Sequence, residues 1–243
     1  MTDYKPDIFN RTLLLVGDEA LDALSSTRVI VFGIGGVGSW CAESLVRSGI
    51  GHLAIVDPDR VAPSNVNRQL MATTSTIGEL KVEALRRRLL DINPDASIDA
   101  LPLAFSEDNA ESFSLDSYHY IIDAIDSLKD KAALILKACH SSAGFFSSMG
   151  AALKIDPTKV AVTEFWKVKG CPLAAALRHR FRHSRQMPAR RFLCVYSDEL
   201  LANKSTTRET CAYKAAINGS LAHITGIFGL TLAGLVIRDV CGK

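Results

Sequence analysis

The chain has 243 residues, of which 48% are hydrophobic, ample for the core of one large α/β domain and too many for a disordered chain. A formal charge of +2 is close to neutral, so bulk charge is silent about nucleic acid. Six cysteines without any C-x-x-C pair argue against a disulfide framework and a four-thiolate zinc site, and they read as buried or inert thiols.

Residues 1–10 mix charge, proline and apolar side chains and lack the basic, apolar, small order of a secretory signal, which predicts a cytoplasmic chain. From position 28 the pattern is strand, glycine turn, helix, strand. An apolar, β-branched run at 29–32 precedes a cluster of glycines, followed by a helix over 39–47 and a second apolar strand over 53–56. That order makes a βαβ unit with parallel strands. A long loop from 58 to about 77 leads into a charged helix from about 79 to 90. Strands near 97–103 and 120–122, a helix from about 129 to 141, and strands around 145–148 and 159–165 continue the alternation. The fold class predicted is α/β, a Rossmann-type, doubly wound and mainly parallel sheet.

After Trp166 the alternation fades, and 171–243 reads as a C-terminal extension continuous with what precedes it. Within it, Arg178, Arg180, Arg182, Arg185, Arg190 and Arg191 cluster with His179 and His183 and no acidic residue, which predicts an anion-seeking surface. A polar stretch near 203–210 follows. The apolar run 221–237 is broken by His223, Thr225 and Thr231, carries three glycines and falls just short of a comfortable membrane span. It reads as a buried or dimer-facing helix. Stable membrane insertion is not expected, and peripheral membrane association stays open.

Gly33-Ile34-Gly35-Gly36-Val37-Gly38 lies where a strand ends and a helix begins, so backbone N–H groups and the helix N-terminus can face phosphate oxygens. A dinucleotide or a triphosphate would satisfy this turn equally. Asp57, 24 residues after Gly33, ends the second strand, where a carboxylate can accept hydrogen bonds from ribose hydroxyls. NAD and ATP remain level at that point, and Asp59 reads as a solvated loop residue or cap. The following loop, Asn65-Val66-Asn67-Arg68-Gln69, and Lys81 on the next helix separate them. Hydride transfer needs no cation at a γ-phosphate, whereas adenylyl transfer needs positive or donor groups around the phosphates as charge develops. Asp123 and Asp126 follow a strand and stand at the C-terminal edge of the sheet. Mg²⁺ binds through one or two carboxylates plus substrate phosphates, which makes Asp126 the metal candidate and Asp123 its alternative, and either could cap the next helix instead.

The ordered set Gly33-x-Gly35-Gly36-x-Gly38, Asp57, Asn65-x-x-Arg68-Gln69, Lys81 and Asp123-x-x-Asp126 resembles the ubiquitin-activating-enzyme-like adenylyltransferase superfamily over roughly residues 8–170. The resemblance implies an adenylation domain at 1–170 that binds ATP and Mg²⁺, a homodimer, and an Arg11 that reaches across to the partner's nucleotide. It also implies catalytic roles for Arg11, Arg68, Lys81 and Asp126. Nucleotide-binding roles fall to Gly33, Gly35, Gly36, Gly38, Asp57, Asn65, Arg68, Gln69, Lys81 and Asp123. Within that superfamily, Asp123-Ala124-Ile125-Asp126-Ser127, Lys131-Ala132-Ala133-Leu134-Ile135, Ile155-Asp156-Pro157-Thr158, Val195-Tyr196-Ser197 and Cys211-Ala212-x-Lys214-Ala215 are similar to the tRNA threonylcarbamoyladenosine dehydratases. This likeness spans nearly the whole chain. It implies ATP-dependent closure of the threonylcarbamoyl side chain into a ring, on tRNA carrying that modification, with the Arg-rich segment as a tRNA-backbone contact. The alternative is an adenylyltransferase activating the C-terminal glycine of a ubiquitin-like sulfur carrier. Many such enzymes carry two C-x-x-C pairs that this chain lacks. Some dehydratases carry a cysteine shortly after the Cys211-like motif, which the shorter region Asn218-Gly219-Ser220 lacks, so a persulfide role is not implied, while a sulfur-relay partner stays open.

Overall fold

A computed structural model describes residues 8–205 and 217–242. The Cys211 and Lys214 segment lies outside the described residues. Two helices that the sequence patterns did not announce, α1 (Asn10–Val16) and α2 (Asp18–Ser26), precede the sheet. The βαβ unit follows as β1 (Arg28–Phe32), α3 (Gly38–Arg47) and β2 (His52–Val56). The chain continues through α4 (Lys81–Ile92), β3 (Ser97–Leu101), β4 (Tyr120–Asp123), α5 (Leu128–His140), β5 (Gly144–Ser148), β6 (Val160–Glu164), α6 (Pro172–Ser184), β7 (Leu193–Ser197) and α7 (Ala222–Val240).

β1 and β2 each have one exposed residue followed by four buried ones. Strands covered on both faces lose the in-out polarity of a half-exposed sheet, which is why they read as continuous apolar runs. Side chains still alternate between faces. Val29 and Val31 join the core beneath α3, α4 and α7, while Ile30 and Phe32 join the core beneath α5 and α6.

The seven strands run in the order β3-β2-β1-β4-β5-β7-β6, all parallel except β6, which pairs antiparallel with β7 at the edge. The sheet is the doubly wound, mainly parallel one expected. Winding reverses between β1 and β4, and open α/β sheets bind ligands outside the carboxyl ends of strands at such a switch point. Gly33 leaves the end of β1 there, and Asp123 closes β4 beside it, in register with Phe32. β7, which the fading alternation concealed, inserts between β5 and β6, so residues on either side of 170 share one sheet.

Ile224, Phe228, Leu232 and Val236 recur along α7 at helical spacing and are fully buried in the first of the two cores. By length and composition α7 could cross a membrane, yet half of its apolar window is buried against its own chain.

Candidate functional site

The glycine turn is shaped by close packing. Gly33 has φ +80°, donates its N–H to the Val56 carbonyl at 2.8 Å, and would place an added Cβ 2.8 Å from the Ala124 carbonyl oxygen. A Cβ on Gly38 would overlap the Gly33 carbonyl itself. Only glycine lets the start of α3, the end of β1 and the loop after β4 meet there. Gly35 is different. Its Cβ direction meets nothing closer than Gln69 Nε2, 3.7 Å away, and no side chain caps the N-terminus of α3. Backbone there is open to a phosphate group, which the helix N-terminus favours.

The loop after β2 is closed on itself at its base and tied to this turn and the start of α3 at its far end. At its base, Arg60 and Leu80 form an antiparallel bridge, and the Lys81 N–H donates to the Asp59 carbonyl at 3.0 Å. At its far end, the Trp40 indole donates to the Arg68 carbonyl at 3.1 Å, and Ser39 Oγ accepts from the Leu70 N–H while donating to the Gly35 carbonyl. Asn65 shapes the loop from within: its Oδ1 accepts from the Ala62 N–H, and its carbonyl accepts from Arg68 and Gln69 N–H. The result sets Arg68 beside Gly36, with Arg68 Cγ 3.4 Å from the Cβ direction of that glycine. The Arg68 guanidinium donates to the Ser64 carbonyl and to Asn67 Oδ1.

Asp57 is buried. Its Oδ2 accepts from the Ile34 N–H at 3.0 Å and its Oδ1 from the Asp59 N–H at 3.0 Å, so the carboxylate ties β2 to the glycine turn. Burial pushes its carboxyl above the ordinary range, against the opposing pull of Lys81. Lys81 is itself buried, with its Nζ 2.7 Å from Asp59 Oδ2 and 3.5 Å from Asp57 Oδ1. Asp59 therefore does more than cap a loop: although its side chain is 64% exposed, it is the nearer partner of the one buried lysine beside the ribose carboxylate candidate.

Gln69 supplies a fit test for a nucleotide. It is 93% buried beside Gly35, and its Oε1 has no hydrogen-bond partner, leaving a buried acceptor that costs roughly 1–3 kcal/mol unless a ligand supplies a donor. Ribose hydroxyls and an exocyclic amine are such donors. Open backbone at Gly35, cations at Arg68 and Lys81, and an orphan acceptor at Gln69 match the parts of a nucleoside phosphate.

At the end of β4 the two aspartates part company. Asp123 is wholly buried, pairs with Lys131 Nζ at 2.8 Å and accepts from Ser147 Oγ at 2.7 Å and from the Ile125 N–H at 3.1 Å. It is part of the floor. Asp126 is exposed on the loop above, where a cation carried in with phosphates can be met. Among the described residues no three His, Cys, Asp or Glu side chains gather as a self-sufficient metal cluster. Mg²⁺ held by one carboxylate and phosphates needs none.

Arg11 is not brought to this site within its own chain. It stands exposed on α1, and its neighbour Phe9 approaches Gly49 in the turn that leads into β2, at the opposite edge of the sheet from Gly33. Leu14 and Leu15 on the same helix are 72% and 80% exposed. The cysteines at 41, 139, 171 and 194 are free and buried, as their scatter suggested. Burial pushes the Cys139 thiol up to about 11 and raises those of Cys41 and Cys194 well above the ordinary thiol range.

The Arg-rich segment divides by use. Arg178 donates to the Phe165 carbonyl and lies over the Phe165 ring, and Arg190 donates to the Ala138 and Ala143 carbonyls, closing the end of α5. Arg182 lies over Trp166. Arg180, Arg185 and Arg191 are exposed, and among the described residues none of the six arginines pairs with a carboxylate. A cleft of about 450 Å³ opens between α5 and α6, rimmed by Lys129, Lys137 and Arg180 but equally by Glu107, Glu111 and Asp130. Its charges cancel, and it lies on the outer face of α5, not at the glycine turn, so the geometry of the turn carries more weight than the size of the cleft.

The model of the ThiF family matches residues 9–243. The chain belongs to the ThiF family. Among its relatives are the tRNA threonylcarbamoyladenosine dehydratase of Bacillus subtilis strain 168, 35% identical with 96% of this chain and 94% of that one covered, and its namesake from Escherichia coli K12, 36% identical with 97% and 94% covered. The crystal structure of the E. coli enzyme in complex with ATP superposes with a TM-score of 0.88 at 32% identity, covering 100% of this chain and 97% of that one. The overall fold that carries the glycine turn and the loop pinned to it is thus shared with a chain solved in complex with ATP.

The holding role of certain residues escapes the sequence: Lys131, seen there only within a motif, and Ser147 both bind Asp123, and Ser39 and Trp40 anchor the Arg68 loop. A signal existed for Lys131: it lies three, four and seven residues before Leu134, Ile135 and Ala138, on the buried face of α5.

Proposed function

We propose that this chain is an ATP-dependent tRNA threonylcarbamoyladenosine dehydratase. The observation that carries the reading is two-way, nearly complete coverage by two bacterial enzymes of that name at 35% and 36% identity, on a fold that matches an ATP-bound structure of one of them. The reaction is closure of the threonylcarbamoyl side chain beside the tRNA anticodon. ATP supplies the driving force by adenylating the threonine carboxylate, and a nitrogen of the same side chain closes the ring as AMP leaves, with net loss of water.

In this reading the Gly33–Gly38 turn and the N-terminus of α3 hold phosphates, and Asp57 and Gln69 hold the ribose and base end. Asn65 keeps the loop that presents Arg68. Arg68 and Lys81 stabilise negative charge on the phosphates, Lys81 exchanging part of its pairing with Asp59 for a phosphate oxygen. Asp126 would hold Mg²⁺, which supplies charge neutralisation at the phosphates, and Asp123 supports it from below. Arg11, remote from its own glycine turn, serves the nucleotide of a second copy in a homodimer. Ring closure joins two groups of one substrate, so orientation supplies much of that step. Arg180, Arg182, Arg185 and Arg191 meet tRNA phosphates, while Arg178 and Arg190 keep the surface in shape. The protein works in the cytoplasm with Mg²⁺ and ATP, and 171–243 is its substrate-binding and dimerisation extension.

The reading is tested by following AMP. Release of AMP and pyrophosphate that requires threonylcarbamoylated tRNA, and is absent with unmodified tRNA, is the expected result. AMP formation provoked instead by a small protein ending in glycine would move the substrate to a sulfur carrier.

A further inference from the structure

The loop between β4 and α5 has four residues, Ala124 to Ser127, and three of them are fastened through their main chain. The Ala124 N–H donates to the Phe32 carbonyl at 2.8 Å, and its carbonyl packs against Gly33. The Ser127 carbonyl accepts from the Lys131 N–H at 2.9 Å in the first turn of α5. Ile125 is gripped from both sides by a single buried ion pair: Asp123 Oδ1 accepts from its N–H at 3.1 Å, and Lys131 Nζ donates to its carbonyl at 3.1 Å. Asp123 and Lys131 are 2.8 Å apart, both with no side-chain exposure, and Ser147 Oγ braces the same carboxylate oxygen from β5.

A buried ion pair is an expensive way to gain stability, because desolvation offsets most of the attraction and an apolar pair of similar volume often does as well. An apolar pair could not hold Ile125, however, since both its N–H and its carbonyl would lose their partners. The pair thus does something packing cannot: it fixes the backbone of the residue immediately before Asp126.

We propose that Asp123 and Lys131 form a positioning clamp for the Asp126 carboxylate, setting the height and direction at which it meets a divalent cation carried by the nucleotide. This inference rests on the reading of Asp126 as the metal carboxylate. Both clamp side chains are wholly buried and act through Ile125. Orienting partners of a metal-binding carboxylate are worth about 10–100-fold in metal affinity when removed.

The test uses the full-length protein and the double variant Asp123→Asn/Lys131→Met, which removes both charges together and so leaves no uncompensated buried ion. Two readouts are taken: hydrogen exchange of a peptide spanning 123–128 without nucleotide, and calorimetric ATP affinity with and without Mg²⁺. The clamp predicts exchange faster by about tenfold in that peptide, and an Mg²⁺ enhancement of ATP affinity reduced by about tenfold, with melting still cooperative. Exchange and Mg²⁺ enhancement both as in the unmodified protein would overturn it. Should the double variant not fold, Ser147→Ala removes only the brace from β5, and the same two readouts must move in the same direction by a smaller factor; no movement overturns the clamp. Asp126→Asn separates the two claims. If it leaves the Mg²⁺ enhancement intact, the metal reading fails, while the exchange readout still decides whether the clamp exists.

Discussion

Two regions of this molecule handle charge in opposite ways. Around the glycine turn, Asp57, Lys81, Asp123 and Lys131 are buried and paired within the fold, each at a defined distance from its partner. On and after α6, Arg180, Arg185 and Arg191 lie exposed with no carboxylate partner among the described residues. Buried pairs fix geometry, and removing one partner leaves a stranded charge. Exposed, unpaired cations fix little, but they attract a polyanion over a distance set by the ionic strength. On the proposed function, the contrast is that between a centre where chemistry would be aligned and a surface where a large substrate would be gathered.

The comparison breaks first, and most severely, at Lys131. Lys131→Met alone strands the Asp123 carboxylate and is expected to destabilise the protein by about 3–5 kcal/mol, read from a urea melt. A loss under about 1 kcal/mol, the range of exposed pairs, would place the pair among surface interactions. Next in size is Asp126→Ala. Because Asp126 is exposed, stability should stay within about 0.5 kcal/mol, while ATP–pyrophosphate exchange falls at least about a hundredfold. Retained exchange would remove Asp126 from the metal site.

Changing Arg180, Arg185 and Arg191 together to alanine should weaken tRNA binding about tenfold and flatten its dependence on salt by about 2 in log–log slope, at about 0.7 per phosphate contact, with ATP affinity unchanged. Alanine at Arg178 or Arg190 would report on folding instead, since those side chains close carbonyls. The smallest effect concerns Glu43, whose burial raises its pKa but is outweighed by hydrogen bonds from Arg88 and Arg47, leaving the carboxyl below its ordinary range. A lowered folded pKa adds stability that is present above the unfolded value, about 4.3, and is lost as pH falls through the lowered one. Glu43→Gln should therefore cost about 1 kcal/mol at neutral pH and make the acid limb of the stability curve shallower.

The same contrast explains what could be read in the sequence. β1, β2 and β4 were legible because doubly covered parallel strands are unbroken apolar runs, and the glycine turn because its spacing is imposed by backbone contact at Gly33 and Gly38. Asp57 and Asp123 were visible as acids at strand ends. β7 was not, since five residues between an Arg-rich segment and a polar loop carry no periodicity that tells an inserted strand from a linker. The pairing of Lys131 with Asp123 did not show in the motif that holds Lys131, and Asp59 read as a solvated acid, because which side chains meet between β4 and α5, or across the 22 residues from Asp59 to Lys81, is a property of the fold and leaves no local mark. The exposed arginines were easy to see and hard to sort: Arg178 and Arg190 differ from Arg180 only in which carbonyls the fold brings to them.

The most direct measurement combines both regions in one reaction. Purified protein is incubated with MgATP and threonylcarbamoylated tRNA, the tRNA is digested, and the modified nucleoside is weighed by mass spectrometry. The account predicts loss of one water from that nucleoside, dependent on ATP, absent in Asp126→Ala, and restored at high tRNA concentration when Arg180, Arg185 and Arg191 are replaced. A nucleoside whose mass stays unchanged with ATP present, from protein that binds both ATP and the tRNA, would contradict it.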